Sequence, residues 1–184
     1  SWPADQSPRP AYLPRLSSPT MKIHEYQARE LLSRFGVPVP PAIVVENGDE
    51  AARAFEKLVQ EHATTLAVVK AQVHAGGRGK GGGVKLVRSG DEARQCAAKI
   101  LSRPLVTPQT GPAGVSVKKV LVAAGVDIAK EYYLGMAVDR ANHCPVLIAS
   151  REGGMEIEQV AKDNPDAIVR IAVDPIAGLH PFQA

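Results

Sequence analysis

The chain has 184 residues, 45% hydrophobic and 22% charged, which is the balance of a globular protein rather than of a disordered or fibrous one. No apolar run approaches the roughly 18 residues a membrane-spanning helix needs, so no membrane contact is expected. The net charge of +3 conceals a basic middle: residues 62–126 hold ten Lys/Arg against two acids, Asp91 and Glu92, between segments that are net acidic.

That asymmetry points to a local anion site rather than to a uniformly basic surface. With aromatics at only 4%, the interleaved rings that stack bases are missing, and nucleic acid is not an expected partner. Cys96 and Cys144 form no close pair and no metal-ligand spacing. A reducing intracellular compartment is the simple reading.

Residues 1–20, "SWPADQSPRPAYLPRLSSPT", contain five prolines and no periodic apolar pattern. They are expected to stay outside the packed fold, as a disordered leader or an added segment. "KIHEYQARELLSRFGVPVP" predicts a helix with Ile23, Tyr26, Leu31, Leu32 and Phe35 close to one face, stopped by Gly36 and by Pro38 and Pro40. "AIVVE" reads as a strand and "NGDEAARAFEKLVQEH" as a second helix burying Ala51, Phe55, Leu58 and Val59. "LAVVKAQV" and "GVKLVR" read as strands on either side of a glycine loop. "SGDEARQCAAKILS" is a third helix, with Ser89 and Glu92 spaced as a capping box. "VSVKKVLVAAG" reads as a strand, "KEYYLGMAVDR" and "PVLIASR" as a hairpin around "ANHC". "EGGMEIEQVAKDNP" is a turn running into a helix, and "AIVRIAVDP" a last strand. The order α, βαββαβ, ββαβ implies a mixed α/β or α+β arrangement in two lobes, of which α+β, with mixed sheets and flanking helices, is the expected class.

The stretch "VVKAQVHAGGRGKGGGVKLV" packs six glycines into residues 76–83. It is not a P-loop: Gly79-Lys80 is followed by Gly81, which removes the hydroxyl that would meet Mg²⁺, and His74 stands where the first glycine belongs. Gly77, Gly79 and Gly82 satisfy G-x-G-x-x-G, but a strand follows where a dinucleotide fold needs a helix. The protein-kinase arrangement puts its lysine after the loop, whereas Lys70 precedes it, and no "HRD" or "DFG" follows. What remains is a hairpin lid whose backbone N–H groups face phosphates, with Lys70 as a point charge on the entering strand. The plain alternative is a surface hairpin with solvated lysines, against which the glycine density argues because each glycine costs backbone entropy.

"MKIHEYQARELLSRFGVPVP", the glycine stretch and "EGGMEIEQVA" together resemble the β subunit of succinyl-CoA synthetase, collinearly from Met21 to the end. The resemblance extends to malate–CoA ligase and ATP-citrate lyase. It implies an ATP-grasp-type fold in which two lobes hold ATP or GTP. Residues 41–125 would be the smaller lobe, and 21–40 with 126–184 parts of the larger one. It further implies that Lys70 contacts phosphate, that Gly77, Arg78 and Gly79 form the lid over the nucleotide, and that "KVLVAAGVDIAKE" is the hinge reading the base. Glu131 would bond the ribose hydroxyls. Ala123 stands where many bacterial relatives carry a glutamate and Val126 where some carry a threonine, so base recognition there rests on the backbone. His74 is a weaker candidate for phosphate contact or for orienting the loop.

The resemblance implies a phosphohistidine on a partner α subunit, in a heterodimer or heterotetramer, with CoA and succinate as further substrates. No residue of this chain is assigned a catalytic role, and no metal ligand either: the Mg²⁺ ligands are expected beyond Ala184. The chain is therefore expected to be the first part of a longer polypeptide, inactive as a ligase alone. It would be cytoplasmic, or in the mitochondrial matrix if eukaryotic. The alternatives are a malate–CoA ligase and a non-catalytic nucleotide-binding module.

Overall fold

The structure is a computed structural model that describes residues 22–184; the segment expected to stay unpacked, residues 1–20, lies outside them. In chain order come α1 (Glu25–Arg34), β1 (Ala42–Val45), α2 (Gly48–His62), β2 (Ala67–Ala71), β3 (Val84–Val87), α3 (Gly90–Leu101), β4 (Val120–Ala124), β5 (Tyr133–Asp139), β6 (Cys144–Ser150), α4 (Ile157–Asp163) and β7 (Ile168–Ala172). This is the order that periodicity predicts. The elements form two compact units, one up to Val126 and the other Asp127–Ala184.

The first unit is a sheet of order β1-β4-β2-β3, antiparallel throughout. Its two long helices start on side-chain caps: Asn47 accepts from the Glu50 N–H and Ser89 from the Glu92 N–H, each satisfying an amide the helix leaves unpaired. The Glu92 carboxylate reaches back to the Arg88 N–H at 2.7 Å, completing a box one residue wider than the usual form. The period of α2 turns Ala51, Phe55 and Leu58 inward, and α3 turns Ala93, Ala97 and Ile100 inward. These meet Ala67, Val69 and Ala71 of β2 with Val120, Val122 and Ala124 of β4 in one core. A strand alternates sides. Lys70 therefore lies on the opposite face, with its register partner Leu121 and, one pair along, Val68 and Ala123.

One expectation shifts. The segment "VSVKKVLVAAG" yields a strand only from Val120; its front half makes an isolated bridge instead, Val115 exchanging both backbone hydrogen bonds with Leu105. A left-handed Gly114 (φ +67°) turns the chain there, which a continuous strand cannot accommodate. Helix α1 forms, but its apolar face is not buried: Leu31 and Leu32 are nearly half exposed and Phe35 is 85% exposed.

The second unit is an antiparallel sheet of order β5-β6-β7. The β5–β6 turn is tied by Asp139, whose carboxylate accepts from the N–H groups of Ala141 and Asn142. Val160 of α4 is this unit's best-buried side chain.

Candidate functional site

The first turn of α1 docks on the exit of β2. The His24 N–H donates to the Gln27 side chain, fixing the start of the helix, and the Tyr26 N–H donates to the nearly buried Gln72 at 3.2 Å. Between these anchors Glu25 projects over the sheet face that carries Lys70. One carboxylate oxygen accepts from Lys70 Nζ at 3.0 Å and the other from Arg78 Nη2 at 2.8 Å. Arg78 Nη1 donates to the Ala71 carbonyl at 2.8 Å, which fixes the guanidinium plane. Burial by itself would raise the Glu25 carboxyl's pKa, but the hydrogen bonds and charges of Lys70 and Arg78 outweigh it and hold the group below its ordinary 4.5.

Lys70 and Arg78 are thus brought together, although eight positions separate them in sequence. Glu25 joins them and sequence reasoning missed it. An acid in the first helical turn reads as a dipole partner, and nothing local indicates the strand it will meet.

The glycine loop is not a free lid. Residues 77–83 fold into successive tight turns, with the Gly81 N–H bonded to the Gly77 carbonyl and the Gly83 N–H to that of Arg78. The loop lies against residues 105–109, and the Gly76 N–H donates to the Gln109 side chain at 2.7 Å. A Cβ at Gly81 would overlap the Val106 carbonyl oxygen, and Gly77, at φ +69°, would put one 2.8 Å from Pro108. Part of the glycine density is therefore a packing requirement. Gly79 differs: its φ is ordinary and nothing lies within 4 Å of its Cβ position. Beside Arg78 it is an open point of the loop where the backbone conformation would also admit a side chain.

His74 stacks on His24, centroids 4.0 Å apart and planes 13° from parallel. Burial first, then the charges of His74, Lys119 and Arg78, depress the His24 pKa. His74 thus helps to hold α1 against the loop. Ala123 is buried within β4 and paired on both sides, by Ala42 and Val68. The ladder closes at Gly125, whose N–H donates to the Leu66 carbonyl, and Val126 follows at 57% exposed. On the same sheet face, α1 and the edge of β1 enclose a groove of ≈ 450 Å³ lined by Tyr26, Arg29, Pro40, Ala42, Val44 and Leu121. Pro40 is therefore more than a stop after the helix: its carbonyl accepts from Arg29.

Glu131 lies in the second unit, with its side chain exposed. The turn at residues 152–154 folds directly onto it: a Cβ on Gly153 would sit 2.5 Å from the Glu131 carbonyl carbon. Sequence reasoning gave "EGG" a turn and no more; the structure makes it the seat of Glu131. Among the described residues, no cluster of three or more His, Cys, Asp or Glu could hold a metal ion. Among them, too, no helix is long and apolar enough to cross a membrane.

Residues 22–184 match the ATP-grasp domain family. Curated relatives include the β subunits of ADP-forming succinate–CoA ligase from Chloroherpeton thalassium, 53% identical over 164 residues, and from Salinibacter ruber, 53% over 163. Each alignment covers 89% of this chain and 42% of the relative, so the chain spans less than half the length of the proteins it matches. Among solved structures, the dinucleotide-forming acetyl-coenzyme A synthetase 1 of Ca. Korarchaeum cryptofilum aligns with a TM-score of 0.62 at 18% identity, over 86% of this chain and 61% of that one. The ATP citrate lyase of Methanosaeta concilii aligns at 0.54 and 20%, over 85% and 34%. At these identities the likeness is one of fold.

Proposed function

Because the chain belongs to the ATP-grasp domain family, we propose that it is a nucleotide-binding portion of a succinate–CoA ligase β subunit. The observation that carries the reading is the convergence of Lys70 and Arg78 on one sheet face beside the open Gly79. The names of relatives at 53% identity support the choice of ligase, and their designation as ADP-forming supports an adenine nucleotide.

In this reading Lys70 and Arg78 neutralise the polyphosphate, the loop about Gly77 and Gly79 approaches it closely, and Glu131 takes the ribose hydroxyls. Ala123 and Val126 belong to the hinge that reads the base, and His74 positions the loop. The lobe division the resemblance implies puts residues 41–125 in the smaller lobe and 21–40 with 126–184 in the larger one; α1, from the first of these segments, packs on the first unit here. Phosphoryl transfer asks mostly for positioning and charge neutralisation, which these groups supply. Mg²⁺ would neutralise phosphate charge in the complete enzyme; among the described residues no cluster fits it. The complete enzyme would interconvert succinyl-CoA, NDP and phosphate with succinate, CoA and NTP. It would pass phosphate through a histidine of an α subunit, in the cytoplasm or the mitochondrial matrix.

The test is Lys70→Ala. Removing a charged hydrogen-bonding partner of phosphate should weaken ADP binding, read by titration calorimetry, by about tenfold or more. Paired with an α subunit, the longer β polypeptide should lose nucleotide-dependent turnover while it still folds, its thermal transition lowered by no more than a few degrees. ADP affinity equal to wild type overturns the reading. Assays of that pair with succinate and with malate separate the two ligases.

A further inference from the structure

We propose that Glu25 is the resident counter-anion of the phosphate site, and that it sets which phosphates the site accepts. This rests on the reading of Lys70 and Arg78 as phosphate contacts.

The carboxylate gives one oxygen to each cation, at 3.0 and 2.8 Å. All three side chains are largely enclosed: Glu25 is 20% exposed, Lys70 27% and Arg78 24%. Their attraction is therefore less screened than that of a surface pair. A phosphate group has the same acceptor chemistry as a carboxylate, so it can reach both cations only by displacing or sharing with Glu25. Arg78 cannot swing clear to meet it elsewhere without losing its bond to the Ala71 carbonyl.

The exchange has an unequal outcome for different phosphates. Orthophosphate offers the two cations little that the carboxylate does not already give them. A di- or triphosphate brings further charge and oxygens, long enough to extend past Arg78 toward the open Gly79. Glu25 thus keeps the two cations assembled while no ligand is bound and raises the threshold for short anions. It also ties occupancy of the site to the seat of α1, because displacing the carboxylate removes one of the anchors of that helix's first turn. A merely structural Glu25 would hold α1 on β2 and leave anion selectivity untouched.

The experiment is calorimetric titration of the chain and its Glu25→Gln, Glu25→Asp and Lys70→Ala variants with ADP, inorganic tripolyphosphate and orthophosphate. Alongside, ¹³C NMR of the Glu25 carboxylate is followed during tripolyphosphate addition. Glu25→Gln should tighten ADP and tripolyphosphate by about tenfold. It should tighten orthophosphate by more, so that discrimination between long and short phosphates narrows. Glu25→Asp, which keeps the charge, should restore part of that discrimination. The wild-type carboxylate resonance should shift as tripolyphosphate saturates. If Lys70→Ala weakens ADP while Glu25→Gln binds all three ligands as wild type does, the counter-anion role is overturned and the phosphate reading stands. An unmoved Glu25 resonance at saturation overturns the role even if the Gln variant fails to fold. Wild-type ADP affinity in Lys70→Ala, or no tripolyphosphate shift in any form, overturns both.

Discussion

The two units are built on the same kind of antiparallel sheet but hold themselves together differently. In the first, α2 and α3 seal one face, and Leu58, Val69, Val120 and Val122 are each less than 2% exposed. In the second, one face of the sheet carries Leu134, Met136 and Val138 at 68–74% exposure, with Val169 beside them at 55%. Three strands and one short helix cannot enclose two faces. The contrast bears on what steadies each proposed contact residue within its own unit. Lys70 and Arg78 stand on a closed core, whereas Glu131 is held by a local device, the glycine turn folded against its backbone.

Substitutions should separate the units by size of effect. Leu58→Ala, at the centre of the first core, should cost about 3 kcal/mol in chemical denaturation; a loss under about 1 would show that this core is looser than it looks. Next comes Gly81→Ala, where the added methyl meets the Val106 carbonyl and should cost roughly 1–3 kcal/mol. Its neighbour Gly79→Ala should stay within about 0.5 kcal/mol yet weaken ADP binding. Equal destabilisation by the two would erase the distinction between packed and open glycines.

Glu25→Gln should cost about 1 kcal/mol at neutral pH. The carboxyl's folded pKa lies below its ordinary 4.5, so its contribution is fully present above that value and is lost as pH falls through the lowered one. The gap between wild type and variant should therefore close on acidification; a gap that widens would contradict the pairing.

Gly153→Ala sharpens the other side of the comparison. By shifting Glu131 it should weaken ADP about fivefold and leave inorganic tripolyphosphate, which has no ribose, unchanged. Equal losses for both ligands would detach Glu131 from ribose recognition. Smallest of all, Leu134→Lys on the exposed sheet face should change stability by no more than about 0.5 kcal/mol. A large loss would mean that this face is covered in the isolated chain.

Much of this was legible in the sequence because it depends on neighbours in the chain. The 3.6-residue period of α2, the Ser89–Glu92 spacing and the β-branched runs each write their structure locally. So does the place of Lys70, on a strand just ahead of the glycines. Position in the chain could not reveal why the glycines are needed. Entropy argued for function at all of them, yet Gly81 is accounted for by Val106 and Gly79 is left for a ligand. Helix α1 shows the predicted period without burial: among the described residues its Leu31, Leu32 and Phe35 are not buried.

By itself, then, the sequence determined the order of elements, the strand–loop–strand frame and the basic character of the middle segment, all consequences of spacing and composition. Tertiary structure alone decided what meets what. It set Glu25 against Lys70, 45 positions away, and Arg78, 53 away, and seated Glu131 on Gly153. The physical reason is that an ion pair or a close backbone approach depends on distance in space, and side-chain identity fixes that distance only once the sheet has set the register.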